Sequence, residues 1–226
     1  MAHRLDNPVW HALNSGNGPL AHGSGSIRFF WNDVSPFVGS ADYSTKQLHA
    51  LYEAVPFDGP FAILPPGEIT LPPPWHVIQQ MNVWQMVCTG IPRKTLKPMP
   101  IVPLGDADVP EMLKLTRLTN PGPFERQTIR FGHYEGIYDH DRLVAMAGQR
   151  MHPQPYAEIS AVCTHPDFSG RGLATQLVLR QIHRIRAAGE IPFLHVKSAN
   201  TGAIAVYSDL GFVKRKEVII YVIKKG

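Results

Sequence analysis

Residues 158–178 read EISAVCTHPDFSGRGLATQLV. Up to Thr164 the stretch has the composition of a strand. From Leu173 the apolar residues Leu173, Leu177, Val178, Ile182 and Ile185 share one helical face, and Gly189 marks the stop. Between the two, Gly170 and Gly172 flank Arg171. The first turn of a helix has backbone N–H groups without intrahelical partners, and its dipole favours an anion. Glycines there let a large anion reach the backbone with no Cβ in the way. A diphosphate meets that description; a plain strand-to-helix turn explains the two glycines on this fragment alone. Two nucleotide-binding patterns are missing: there is no G-x-G-x-x-G with an acidic strand end downstream, and no G-K-[ST].

Working outward, the residues from about Met99 read clearly. IVPLG is a short strand. DVPEMLKLTRLT is a helix, with Asp108 as N-cap and Glu111 three residues on. NPGPF (120–124) breaks it, and HYEGIYDHDRLVAMAGQRM is a strand, a DHD turn and a strand. AEISAVCTH is the strand before the glycine turn. After the long helix come a strand PFLHV, a short helix TGAIAVYSDLGF and a last strand EVIIYVI. The order is an antiparallel meander followed by a strand–helix–strand crossover.

The first hundred residues carry weaker signals. STKQLHALYEAV predicts a helix with Ser44 and Gln47 as a capping box. IRFFW, FAIL and the alternating WHVIQQMNVWQMVC predict strands, separated by the proline-rich loop PPGEITLPPP. GIPRKTLKPMP, basic and broken by prolines, is the candidate linker. The expected division is therefore an α/β N-terminal domain over 1–97 and a second domain over 98–226.

Composition sets the broad class. The 226 residues are 44% hydrophobic and 18% charged, with a net charge of +4. That charge suits a phosphorylated cofactor but is too small to argue for nucleic acid. Cys88 and Cys163 stand far apart with no second pair, which predicts neither a disulfide framework nor a zinc site and suits a reducing cytoplasm. The N-terminus has no apolar signal core, and no apolar run reaches membrane-helix length. The expectation is a soluble cytoplasmic protein, monomer or homodimer, without membrane, nucleic-acid or metal partners.

Together, EISAVCTHPDFSGRGLATQLV and LHVKSANTGAIAVYSDLGF resemble the GNAT superfamily of acyl-CoA-dependent N-acyltransferases. That superfamily's pattern [QR]-x-x-G-x-[GA] falls on Ser169 to Ala174, and N-x-x-A-x-x-x-Y-x-x-x-G-F falls on Asn200, Ala203, Tyr207, Gly211 and Phe212. The resemblance covers roughly residues 99 to 223. It implies a mixed, mostly antiparallel sheet flanked by helices (α/β, or α+β), preceded here by a smaller N-terminal region compatible with a worn copy of the same fold. Ser169 departs from the pattern, which removes one side-chain donor near the diphosphate.

The resemblance also implies site residues. Acetyl-CoA, or another short acyl-CoA, would lay its pantetheine arm along Val162, Cys163 and Thr164, as an added strand would. Its diphosphate would sit at Ser169, Gly170, Arg171, Gly172, Leu173 and Ala174, with Asn200 and Ala203 completing the cofactor set. Glu158 would take a proton from the incoming amine, directly or through water; the alternative is a carboxylate in solvent at a strand end. Period two places Glu158 with Ser160, Val162 and Thr164 unless a bulge intervenes, and points Cys163 away as a core cysteine. Tyr207 would protonate the departing thiolate; the alternative is an aromatic packed on the sheet. His195 belongs either to the acceptor side or to the core, and NPGPF either forms the acceptor-side loop or only ends a helix. The implied reaction is direct attack of a primary amine, on a small molecule rather than a protein, upon the thioester. The alternative is an acyl-CoA-binding sensor or interaction module without turnover.

Overall fold

The computed structural model describes residues 3–226. Strands β1 (Ile27–Phe29) and β2 (Val38–Ser40) form a two-stranded ribbon on which helices α1 (Pro8–Leu13) and α2 (Thr45–Ala54) pack. The next strands are β3 (Phe61–Ile63), β4 (Trp75–Cys88) and β5 (Ile101–Pro103), followed by α3 (Val109–Thr119). The meander β6 (Glu135–Asp139), β7 (Arg142–Gln149) and β8 (Tyr156–Thr164) leads into α4 (Leu173–Ala187). β9 (Ile191–Lys197), α5 (Thr201–Asp209) and β10 (Phe212–Lys225) complete the chain. The strands from β3 onward make one eight-stranded sheet in the order β3-β10-β4-β9-β8-β7-β6-β5. Neighbours run antiparallel except β8 and β9, which α4 connects as a parallel crossover. This is the mixed, mostly antiparallel sheet flanked by helices that the sequence implies.

The expected boundary at residue 97 does not divide this sheet. β4 comes from the first hundred residues yet lies between β9 and β10, with Val83–Val87 opposite Lys197–Phe193 and Phe212 opposite Cys88. Burial explains the position. The end of β4 is apolar or fully covered on both faces: Val83 and Val87 join the core on the α3 side, Met86 and Cys88 the core under α4. A strand covered on both faces belongs inside a sheet. The first half of β4 is exposed instead, because β9 ends opposite Val83. The linker stretch then carries the chain back across α4 to β5 at the sheet's far edge. It is tied down on the way, where Gln176 accepts from the Lys97 amide (2.7 Å) and donates to the Thr95 carbonyl (3.3 Å).

Two caps differ from expectation. Ser44 accepts from the Gln47 amide at 3.4 Å, but the Gln47 side chain accepts from Ser26 Oγ (2.6 Å). Asp108 makes no side-chain cap on α3. Its carboxylate accepts from the Tyr138 hydroxyl (2.6 Å) and the Gly105 amide (2.7 Å). Among the described residues no helix is long and apolar enough to cross a membrane.

If β4 is integral to one core, truncating it unfolds the whole. Met86, fully buried, is the test: Met86→Ala is expected to lower stability by about 2–5 kcal/mol while the protein still melts in a single calorimetric transition. Two separate transitions would show that the halves fold independently.

Candidate functional site: a splayed strand pair above a glycine turn

β8 and β9 pair at three positions only: Tyr156 with Ile191, Ala157 with Pro192, and Glu158 with Phe193. Beyond Glu158 the strands part, and the rest of β8 pairs with β7 alone. A bulge accompanies the parting. Met146 faces Cys163 and Gly148 faces Ser160, so two residues of β8, Ala161 and Val162, oppose Ala147. Ala161 takes φ +52°, an uncommon left-handed conformation for alanine. The β8–β9 ladder therefore ends in a gap, where Val162, Cys163 and Thr164 have no partner on β9.

The bulge corrects the expected facing. Before it, Ala157 and Ile159 pack under α4; after it, Val162 packs there, while Ala161 and Cys163 join the core on the α3 side. Val162 is thus not on the face of Glu158, and Cys163 does not point away from it. Cys163 is nonetheless a core cysteine, buried, free of any disulfide, and with its thiol pushed up to about 11 by burial.

Glu158 differs most from expectation. Its side chain is not in solvent but fully buried. Arg150 grips it with two hydrogen bonds, Nε to Oε2 at 2.9 Å and Nη2 to Oε1 at 2.6 Å. Oε2 also accepts from the Met151 amide (3.3 Å), and His195 Nδ1 lies 2.8 Å from Oε1. Burial alone would raise the carboxyl's pKa; the charge and hydrogen bonds of Arg150, with His195, overcome it and hold Glu158 well below the usual carboxylate range. A carboxylate offers about four lone-pair sites, and all four are taken. Glu158 is consequently not placed to accept an amine's proton. His195 is equally committed, since its Nε2 lies 3.1 Å from Gln85 Nε2. Gln85 in turn donates to the Leu5 carbonyl and accepts from Arg215, which pairs with Asp6.

The glycine turn shows the opposite pattern. Gly170 and Gly172 both take φ +78°, and a Cβ at either would meet only open space. Gly172 is the N-cap of α4. No amide from Gly170 through Thr175 donates to another described residue; the first engaged one is that of Gln176, bonded to the Gly172 carbonyl at 3.2 Å. Six backbone donors are therefore unengaged at the positive end of a fifteen-residue helix. Arg171 is exposed and lies over the Phe168 ring, 4.5 Å from its centroid, with Nη2 on the Asp167 carbonyl. Ser169 is exposed beside it, Leu173 anchors the turn in the core with its side chain, and Ala174 is half-buried.

On α5, Asn200 caps the helix, its Oδ1 accepting from the Ala203 amide at 3.1 Å, so that atom serves the fold. Ala203 and Tyr207 pack with the core under α4, and Tyr207 meets Phe212 at 5.9 Å between ring centroids. The Tyr207 hydroxyl has no hydrogen-bond partner among the described residues. Burial pushes its pKa up to about 12, with the Cys163 thiol adding to the rise. The phenol is therefore held in its neutral form.

Sequence reading missed Arg150 and Gln85. A hairpin register extended one residue beyond Gln149 opposite Ile159 sets Arg150 against Glu158, so the short stretch QRMHPQPYAE held that signal. Gln85 had none, because β4 reaches the site only through long-range pairing.

Residues 134–220 match the model of a family described as FR47-like protein. A crystal structure from Novosphingobium aromaticivorans, assigned as an acetyltransferase of the GNAT family, is 35% identical, covers 100% of both chains and superposes with a TM-score of 0.90. A GCN5-related N-acetyltransferase from Kribbella flavida shares the fold at 10% identity, with a TM-score of 0.59 over 96% of this chain and 95% of that one. The mycothiol acetyltransferase of Corynebacterium glutamicum is 31% identical over 86 residues, which are 38% of this chain and 30% of that protein. The chain thus spans less than a third of the length of the curated relatives it matches.

The Glu158–Arg150 pair carries a stability prediction. Arg150→Met leaves a buried carboxylate without its cation and is expected to cost about 3–5 kcal/mol; adding Glu158→Gln removes the bare charge and recovers most of the loss. Because Glu158 is held low when folded, its contribution is complete above the ordinary value of 4.5. It declines as the pH falls through that value toward the folded one. Denaturant titrations from neutral pH downward should therefore show an acid slope in the wild type that is shallower in the double variant.

Proposed function

The chain belongs to the GNAT family, and from that premise we propose that it is an acyl-CoA-dependent N-acetyltransferase acting on a small-molecule primary amine in the cytoplasm. The observation that carries this reading is the succession of a three-rung parallel ladder, a gap, and a turn with six unused amides. The gap has the form of a slot for an extended pantetheine arm, with the open backbone of Val162–Thr164 as its partner. The free amides of Gly170–Thr175 suit the diphosphate, and Arg171 adds charge beside it. Acetyl-CoA bound this way supplies an activated acyl group at the bulge.

The rate comes from positioning and from two proton-bearing groups. The amine attacks the thioester carbon, the C–S bond breaks, and the Tyr207 phenol gives the sulfur its proton. Deprotonation of the incoming ammonium falls to water, since the lone pairs of Glu158 are occupied. Glu158 acts as a positioning residue, fixing Arg150 and His195 under the slot. The curated relatives are named for mycothiol, a small molecule, which supports a small-molecule amine over a protein amine. The locked Glu158 favours a second reading, acyl-CoA binding without turnover; acetylation of any amine in a panel, with acetyl-CoA as donor, removes it.

Two variants test the reading. Gly172→Val places a side chain where the diphosphate would lie and strains a φ +78° position. Calorimetry should show acetyl-CoA affinity falling by about tenfold or more, as for the loss of at least one charge-assisted contact of about 1.5–3 kcal/mol; unchanged affinity would remove the turn from the site. Tyr207→Phe keeps the ring packed on Phe212 and should leave acetyl-CoA affinity and Tm near wild type while kcat drops by roughly 10²–10⁴-fold. Wild-type turnover in that variant would end its role as the acid.

A further inference from the structure

Tyr134 immediately precedes β6, and no sequence motif marks it. Its side chain is 2% exposed, and its hydroxyl is buried without a hydrogen-bond partner. The ring lies flat on β7, where a Cβ at Gly148 would collide with it, and Phe124 of the NPGPF loop meets it edge-on at 5.6 Å. Gly148 pairs with Ser160 of β8, so the ring lies against β7 beside the bulge. There Ala161 and Cys163 share its core cluster with Phe193 of β9. Burial holds the phenol's pKa above the ordinary tyrosine value, with the charges of Arg150, Glu158 and Cys163 as lesser influences. It stays a neutral donor. A buried hydroxyl without a partner is costly. The nearby carboxylate is already saturated by Arg150, Met151 and His195. Tyr207 packs with Val162 in the core under α4, so a phenol flanks β8 on each face of the sheet, Tyr134 with Ala161 and Cys163 and Tyr207 with Val162.

Resting on the acetyl transfer proposed above, we infer that the Tyr134 hydroxyl donates a hydrogen bond to the acyl carbonyl oxygen of the bound thioester. As the amine nitrogen bonds to the carbonyl carbon, the C=O pair moves onto oxygen. It returns as the C–S bond breaks, and Tyr207 delivers the proton to sulfur. Tyr134 keeps its own proton throughout. A donor fixed before reaction in a water-poor site stabilises the charge that develops on that oxygen. The phenol thus polarises the thioester, and Gly148, by admitting the ring, positions it.

The test is Tyr134→Phe, with acetyl-CoA labelled with ¹³C at the thioester carbonyl as the probe. Isotope-edited infrared difference spectra should place the bound carbonyl stretch at lower frequency in the wild type than in the variant, with Kd for acetyl-CoA weakened by no more than about tenfold, as for the loss of one neutral hydrogen bond. Where the panel yields an acceptor, kcat should fall by about 10²-fold. Tm should hold or rise, because the change removes an unpartnered buried hydroxyl. A merely structural hydroxyl would instead lower Tm and leave the carbonyl stretch unmoved. Acetyl-CoA binding with identical carbonyl frequencies in the two proteins overturns the role of Tyr134 alone. Failure of the wild type to bind acetyl-CoA overturns it together with the acetyltransferase reading.

Discussion

A buried carboxylate at the last rung of the β8–β9 ladder constrains most of what surrounds it. Taking an ionised glutamate out of water costs several kcal/mol unless its charge and lone pairs are met locally. At Glu158 they are met by Arg150 from the end of β7, the Met151 amide and His195 from β9. Each partner needs its own support. Arg150 lies over the Phe37 ring at 4.8 Å, and its carbonyl accepts from Asn17. His195 faces Gln85 on β4, and Gln85 leads through Arg215 to Asp6. One charge thus recruits residues from β4, β7, β8, β9, β10 and the N-terminal segment.

That network accounts for the architecture better than a division into two domains does. The N-terminal segment covers the face of the sheet on which Glu158 lies, with Leu5, Val9, Ala12 and Leu13 in the same core as Met146, Cys163 and Phe193. β4 closes the sheet on the other side of β9. In a chain of this kind the parallel crossover leaves the free edge of β9 needing a partner. The strand that satisfies it here arrives from more than a hundred residues earlier, between β9 and the final strand. Residues from the first hundred help cover Glu158, with Gln85 facing His195 and Leu5, Val9 and Phe37 in the surrounding core.

How far the sequence discloses this follows the range of each interaction. The α4 stripe from Leu173 to Ile185, the glycine turn and the meander-plus-crossover order all rest on local periodicity and backbone preference, and all appear in the structure. Asp108 does stand at the N-cap of α3, but its two carboxylate oxygens are taken by the Tyr138 hydroxyl, which tertiary packing brings, and by the Gly105 amide, so neither caps the helix. The facing of Cys163 and Val162 was misread because the bulge sits at Ala161, and no glycine announces the left-handed residue. One extra residue reverses the alternation of everything after it. The place of β4 and the partners of Glu158 depend on contacts far apart in sequence, which periodicity does not report.

The bulge also divides the polar groups around β8 into two populations. Those before the bulge, at Glu158 and His195, have their hydrogen-bonding atoms filled by protein. Those at and after it are open: the hydroxyls of Tyr134 and Thr164 are buried without partners, and the amides from Gly170 to Thr175 are unengaged. A folded chain keeps few buried polar atoms unsatisfied, since each costs free energy that a closer packing or an apolar side chain would avoid. Open groups strung along one strand and the turn beyond it, at the place where that strand leaves its neighbour, are a cost that an extended ligand with a carbonyl and a diphosphate would offset. The closed population holds the gap in shape, and the open population describes what fits it.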